Sequence, residues 1–410
     1  MFLIEESGPE EEEGDEEEDE TTTITIAGKS AISKSFLFDL EDEALQITNN
    51  WEEPEDEQDN QNGLFAKKSK RRPQGYIRVR NTVTGTNDPV VGIKVKTRRW
   101  FKWAKGWTNS QGFYRVNRGY RRSVRYTVVF KNTRGFKIWP STIGISSARY
   151  RAGKHSKYGH NITFRTNSVG WRWSTVNNAT VKYLDYCTQF GIGKPHSNLR
   201  IVANGRSGGG AAPMLRRTWG AVGFRTNSDL ISFFSKTTIS VPVNALWLVT
   251  RFVLPDIIIK ANASQGTDGV FETTFHELAH TSHFKKVGNG YWVKYINYII
   301  TYGAYDDGHG HNSGYAGIGE MWGNYFSALC MNQEMPRTGG VGFYLNENRD
   351  WFNPGFMEDV DNIADVTTPE IFSSLVSNTN TFDKLISQFK TKTINDEQVD
   401  KAFTNYTDWP

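Results

Sequence analysis

The chain has 410 residues, with 48 Lys or Arg, 45 Asp or Glu and 2 Cys. That length accommodates two or three domains, and so few cysteines exclude a scaffold built on disulfides. The near-neutral total hides a split: residues 1–60 hold 22 Asp or Glu against 2 Lys, a net −20, and residues 61–410 carry +23.

Glu10–Glu20 is almost continuous acid and cannot bury a core, so residues 1–72 are expected to be a mostly disordered acidic leader ending in the basic linker Lys67–Pro73. Met1-Phe2-Leu3-Ile4 is too short an apolar run for a signal peptide. From Lys67 to Lys154 there are 24 Lys or Arg and one acid, Asp88, interleaved with Trp100, Phe101, Trp103, Trp107, Tyr114, Tyr120 and Tyr126. Such a surface grips polyanions, so an anionic polymer is one expected partner and the chain's own leader another. No nucleic-acid-binding signature accompanies it.

Tyr76–Val83 and Val90–Thr97 alternate as half-buried strands around the turn Thr84–Pro89. Pro89-Val90-Val91-Gly92-Ile93-Lys94-Val95 and Thr108-Asn109-Ser110-Gln111-Gly112-Phe113-Tyr114 together resemble the transthyretin-like, carboxypeptidase-regulatory-like β-sandwich modules. The resemblance implies an accessory all-β sandwich over residues 73–140, used for packing, attachment or binding rather than catalysis. Further on, the apolar stretch Ile239–Ile259 is broken by Arg251, Pro255 and Asp256 and so is no transmembrane segment. It reads as a helix over 244–254 followed by a strand over 255–261.

His276-Glu277-Leu278-Ala279-His280 sets two imidazoles four residues apart, hence on one helical face, with a carboxylate beside them. Thr273, Thr274, Phe275, Leu278, Ala279, Phe284 and Val287 supply an apolar side, and Gly288 is a helix stop. This H-E-x-x-H pattern can hold one metal ion through His276 and His280, leaving Glu277 free to take a proton from water. Catalytic zinc needs a third protein ligand. A metzincin would put a glycine at 283 and a histidine at 286, where the chain has His283 and Lys286. Glu320 is the better candidate, in Gly319–Phe326, where Asn324 shares its helical face and is expected to hold a ligand histidine's second ring nitrogen. His283 is expected to be a hydrogen-bonding support.

On His276, Glu277, His280, Glu320 and Asn324 the chain resembles the gluzincins, zincin peptidases whose ligands are H-E-x-x-H plus a glutamate on a following helix. The resemblance implies Zn²⁺ bound by His276, His280 and Glu320, with Glu277 as general base and a protein or peptide cut at internal bonds as substrate. It also implies that the 255–261 strand lies above the cleft. The glycine-rich Tyr302–Gly319 is expected to be a loop at the metal's rim, with Tyr315, His311 and His309 as candidate donors to an oxyanion.

The expected fold class is α+β: the acidic leader, a small all-β sandwich, and over residues 141–410 a zincin-like metallopeptidase domain with a C-terminal helical part. A sandwich plus zincin is similar to secreted or surface peptidases of Gram-negative bacteria. The alternative is a surface polyanion-binding or adhesion protein whose zincin domain is inactive or structural. An intact Glu277 argues against it, because a structural site has no use for that base. Cys187 and Cys330 are expected to be buried thiols.

Overall fold

The structure, a computed structural model, describes residues 69–141, 146–218, 254–302, 305, 307–335, 351–362, 366–404 and 406. It also gives the antiparallel pair β1 (Ile24–Thr25) and β2 (Ala31–Ile32). Apart from that pair and residues 69–72, the leader lies outside the described residues, as does nearly all of the helix expected at 244–254. The class is α+β, as expected. Among the described residues, no helix is long and apolar enough to cross a membrane.

Alternation builds the N-terminal strands. In β3 (Gln74–Arg80) every second residue is buried, which places Ile77 and Val79 inward and Arg78 and Arg80 outward. β3 centres a four-stranded sheet with β4 (Asn87–Pro89), β7 (Phe113–Arg115) and β11 (Ile162–Phe164). A second, eight-stranded sheet holds β5 (Ile93–Arg99), β6 (Lys102–Trp107), β8 (Val124–Asn132), β9 (Phe136–Trp139) and β10 (Arg149–His155). It continues through β12 (Leu199–Asn204), β14 (Ile257–Lys260) and β13 (Gly210–Ala211).

That second sheet runs straight through the boundary expected at residue 140. β9 pairs in parallel with β12 from Phe136 opposite Leu199 to Trp139 opposite Val202. Both strands, and β14 beyond them, are short apolar runs buried on two faces, so each needs a neighbour on both edges. The strands on either side of that boundary therefore form one sheet.

Helix α1 (Val169–Gln189) ties the strands to the helical half. Its Trp171 indole donates to the Arg80 carbonyl at 2.8 Å, Asn178 donates to the Pro89 carbonyl at 2.8 Å, and Tyr183 shares a 2.7 Å hydrogen bond with Ser282. Ser282 lies on α3 (Gly266–Val287), which follows the single turn α2 (Leu215–Thr218). Then come α4 (Asn289–Tyr302), α5 (Ser313–Glu334), α6 (Gly355–Asn362), α7 (Thr368–Ser374), α8 (Phe382–Lys390) and α9 (Asp396–Thr404). Phe356 on α6 packs on Phe382 and Phe389 of α8 and on Phe403 of α9, which closes the helical C-terminal part.

Gly288 ends α3 with φ +80°, as the sequence indicated. The expected 302–319 loop is shorter than its glycines suggested, because α5 begins at Ser313. Gly314 is needed there for close approach: a Cβ would lie 2.2 Å from the Asn380 carbonyl oxygen. Tertiary contact outweighs the propensity cost of glycine within a helix. Both cysteines are free and buried.

A buried carboxylate fixes the end of the sheet near α3. Asp256 is 0% exposed and meets Arg216 at 3.1 Å and Arg217 at 3.3 Å, while accepting the Arg200 backbone N–H at 3.1 Å. Burial pushes its carboxyl above the ordinary range against the pull of Arg216 and Arg217. Removing it strands two partly buried guanidiniums and unpins β14 from β12. Asp256→Ala is therefore expected to lower stability by about 3 kcal/mol, measured as a shift in the urea unfolding midpoint; a change within error would mean the cluster is incidental.

Candidate metal centre

Two helices make the site. His276, Glu277 and His280 sit mid-way along α3, and Glu320 lies on α5, which packs across it. The imidazole Nε2 atoms of His276 and His280 are 3.0 Å apart, and the Glu320 carboxylate lies 3.3 Å from the first and 3.4 Å from the second. These three side chains form a group able to hold a metal ion. A tetrahedral ion with ligand bonds near 2.0–2.1 Å needs donors about 3.3 Å apart, so the spacing fits. Two imidazoles and a carboxylate are also a donor set that zinc accepts.

Gly323 makes the approach possible. It is one helical turn beyond Glu320, and a Cβ there would stand 2.9 Å from Cε1 of both His276 and His280. Trp322 beside it donates its indole N–H to the Ala279 carbonyl at 3.1 Å, which locks the two helices in register. Tyr295 of α4 donates its hydroxyl to Glu320.

Electrostatics divides the protons unequally. Burial alone would raise the Glu320 carboxyl, but His280 and His276 outweigh it and hold it well below the usual range. Burial opposes protonation of His276, yet Glu320 and the Glu277 and Glu272 carboxylates draw it up to about 9. Burial lowers His280 despite Glu320, with His276 adding to the effect. Without an ion, Glu320 thus favours the charged form of His276. Glu277 is 5% exposed, and burial together with Glu320 raises its carboxyl to about 8 against the pull of His276.

Glu277 and His276 line a cleft of about 470 Å³ together with Gly208, Gly209, Gly210, Glu272, Tyr305 and Asn324. Gly210 is required here: a Cβ would come within 2.6 Å of Glu277 Cγ and 2.9 Å of the Ile258 carbonyl oxygen. The strand beside the cleft is therefore β13, the terminal strand of the sheet on this side, and not the 255–261 segment expected there. β14 lies one position further in, hydrogen-bonded between β12 and β13. Its apolar Ile257-Ile258-Ile259 belongs in the interior.

Other expected residues lie elsewhere. The Tyr315 hydroxyl accepts from Lys294 at 2.9 Å and Asn380 at 2.7 Å, under the first turn of α5 and outside the cleft lining. His311 is exposed and gives its backbone N–H to the Tyr302 hydroxyl, and His309 gives its own to Asp307. Neither histidine is among the lining residues. From that stretch the structure brings Tyr305 to the cleft instead. Asn324 lines the cleft but donates to the Glu320 carbonyl of its own helix at 2.9 Å, and His280 Nδ1 has no partner among the described residues. Three features escaped the sequence reading: Tyr305, Gly323 and the glycines 208–210 that lead into β13. The run Gly205-Arg206-Ser207-Gly208-Gly209-Gly210 is a visible signal for the last, and Gly323 stands three residues from Glu320.

His283 is not the hydrogen-bonding support expected. It is fully buried, neither ring nitrogen has a partner among the described residues, and it packs against the rings of Tyr291 and Trp292. Burial, with His280 and Lys286, pushes its imidazole down to about 3.

No protein-family model matches this chain, and no curated protein matches it.

Gly323→Ala is expected to weaken Zn²⁺ binding by about tenfold or more while leaving the fold intact, because the methyl displaces both imidazoles. Isothermal titration with Zn²⁺ reads it, and unchanged affinity would remove Gly323 from the site. His283 gives a pH dependence whose sign is fixed. Its native imidazole stays neutral down to about 3, whereas the unfolded one takes a proton below about 6.5. Its contribution is thus complete above 6.5 and lost as pH falls from there towards 3. Between pH 7.5 and 4.5 the metal-free protein should lose about 2–3 kcal/mol more stability than His283→Leu. Equal losses in urea titrations would contradict that assignment.

Proposed function

We propose that this chain is a zinc-dependent metallopeptidase of the gluzincin kind, acting on protein or peptide substrates. The observation that carries the reading is the convergence of His276, His280 and Glu320 on one point with Glu277 beside them in an open cleft. His276, His280 and Glu320 would hold the ion. When bound, zinc supplies Lewis acidity, acidifying water and polarising a carbonyl.

The remaining work belongs to the chain's own side chains. Glu277 takes the proton of the attacking water and passes it to the leaving amine, from its place on the cleft wall beside the three donors. Gly208–Gly210 keep that side of the cleft bare, so an extended backbone can come close to Glu277 without meeting a side chain. Tyr305 lines the cleft, and its hydroxyl is the group we assign to the developing oxyanion, in place of Tyr315 and His311. Under the same proposal, the strands of residues 73–140 are an accessory transthyretin-like sandwich fused to the catalytic part through the shared sheet.

Purified protein is expected to carry about one Zn²⁺ per chain, and His276→Ala or His280→Ala to lose it. Glu277→Gln keeps the size of the side chain but cannot accept a proton. It should retain zinc while hydrolysis of a quenched-fluorescent peptide library falls by roughly 100-fold or more. Wild-type protein that stays metal-free after incubation with zinc would sink the proposal, and full activity in Glu277→Gln would move the base elsewhere.

A further inference from the structure

The β5–β6 hairpin carries the most conspicuous unused feature of the surface. At its tip Trp100 is 76% exposed and Phe101 is 90% exposed, next to each other and flanked by Arg98, Arg99 and Lys102. Two large rings left in water at one point are unusual for a soluble surface, where apolar groups are scattered singly.

The tip is braced in this posture. Trp100 has φ +54°, a left-handed conformation that a bulky residue adopts at a cost. Arg98 donates to the Trp100 carbonyl at 3.0 Å while its guanidinium stacks 4.3 Å over the Trp103 ring, and Arg99 donates to the Ser123 carbonyl at 2.8 Å. The neighbouring side chains thus anchor the turn and leave its two rings pointing away.

Its surroundings are cationic without interruption. From Pro89 to Leu184 the chain has no Asp or Glu. Strand register puts Trp103 and Arg125 opposite Arg98, and Lys102 opposite Arg99, so both faces of the sheet carry positive charge beside the tip.

We propose that the Trp100–Phe101 tip inserts at the surface of an anionic lipid bilayer, with the surrounding Arg and Lys side chains on its headgroups. Tryptophan prefers the membrane–water interface and phenylalanine the acyl boundary, and anionic headgroups attract the basic collar. A single-stranded nucleic acid fits less well, since it needs rings set along a concave groove, whereas these protrude from a convex turn. The acidic run Glu10–Glu20, ten acids in eleven residues, could meet only the collar, since that run has no apolar side chain for the rings.

The test uses the full chain and the double variant Trp100→Ser, Phe101→Ser, whose fold is checked by circular dichroism and zinc content. Wild type should sediment with vesicles of phosphatidylcholine mixed with phosphatidylglycerol and not with phosphatidylcholine alone. The double variant should need about tenfold or more of the mixed lipid, while its elution from heparin stays where it was. Absence of vesicle binding by wild type, equal binding by the variant, or a loss confined to single-stranded DNA would each overturn the proposal. None of these outcomes touches the peptidase reading, which rests on other residues.

Discussion

A carboxylate buried between two imidazoles sets the terms for the rest of the molecule. Glu320 is 3% exposed, and a charge in that position costs several kcal/mol unless it is compensated. Without an ion the compensation is a proton drawn onto His276 and the hydroxyl of Tyr295. A divalent cation would do the same work more fully, replacing the proton and turning three mutually crowded donors into ligands. The crowding is only possible because α5 crosses α3 at Gly323, where no side chain intervenes. Helix contact and donor geometry are in this sense one constraint.

That contact would be of little use if α3 could rotate or slide, and the N-terminal strands prevent it. Thr82, in the turn after β3, donates its backbone N–H to the Thr267 hydroxyl at 3.0 Å and accepts the Thr267 N–H through its own hydroxyl at 2.7 Å. The first turn of the site helix is thereby satisfied by a residue 185 positions earlier in the chain. α1 holds the middle of α3 through Tyr183 and Ser282, and itself hangs from β3 and β4 by Trp171 and Asn178. The β-rich segment is therefore a support for the centre as well as a surface.

What could be read from the sequence follows from what each signal encodes. The metal group was legible, since spacing on one helix and a carboxylate on the next are local facts about His276, His280 and Glu320. Helix ends marked by Gly288 and strands marked by alternation at Ile77 and Val79 were legible for the same reason. The identity of the cleft-side strand was not. Gly210 and the isoleucines of β14 are equally compatible with either position until the sheet order is known, and that order pairs Ile201 with Ile257 and Gly210 with Ile259 across long intervening segments. His283 was misread because helical spacing gives its direction from the axis, but not that Tyr291 and Trp292 would enclose it. The continuity of the sheet across residue 140 was hidden similarly: the apolar runs of β9 and β12 announce burial without naming the partner.

The sheet's order also decides what the two ends of the molecule can do together. β13 stands at one end of the eight-stranded sheet, against Glu277, and β6 stands at the other, six strands away. At the usual interstrand spacing that separation is about 30 Å. A polyanionic surface engaging the hairpin side would leave the cleft exposed to a second partner, and it would not bring its negative charge near Glu277 or Glu320. The charge layout agrees with this division. The hairpin side is rich in Arg and Lys, whereas the cleft lining contains two glutamates and no lysine or arginine, with Lys260 standing behind Gly208.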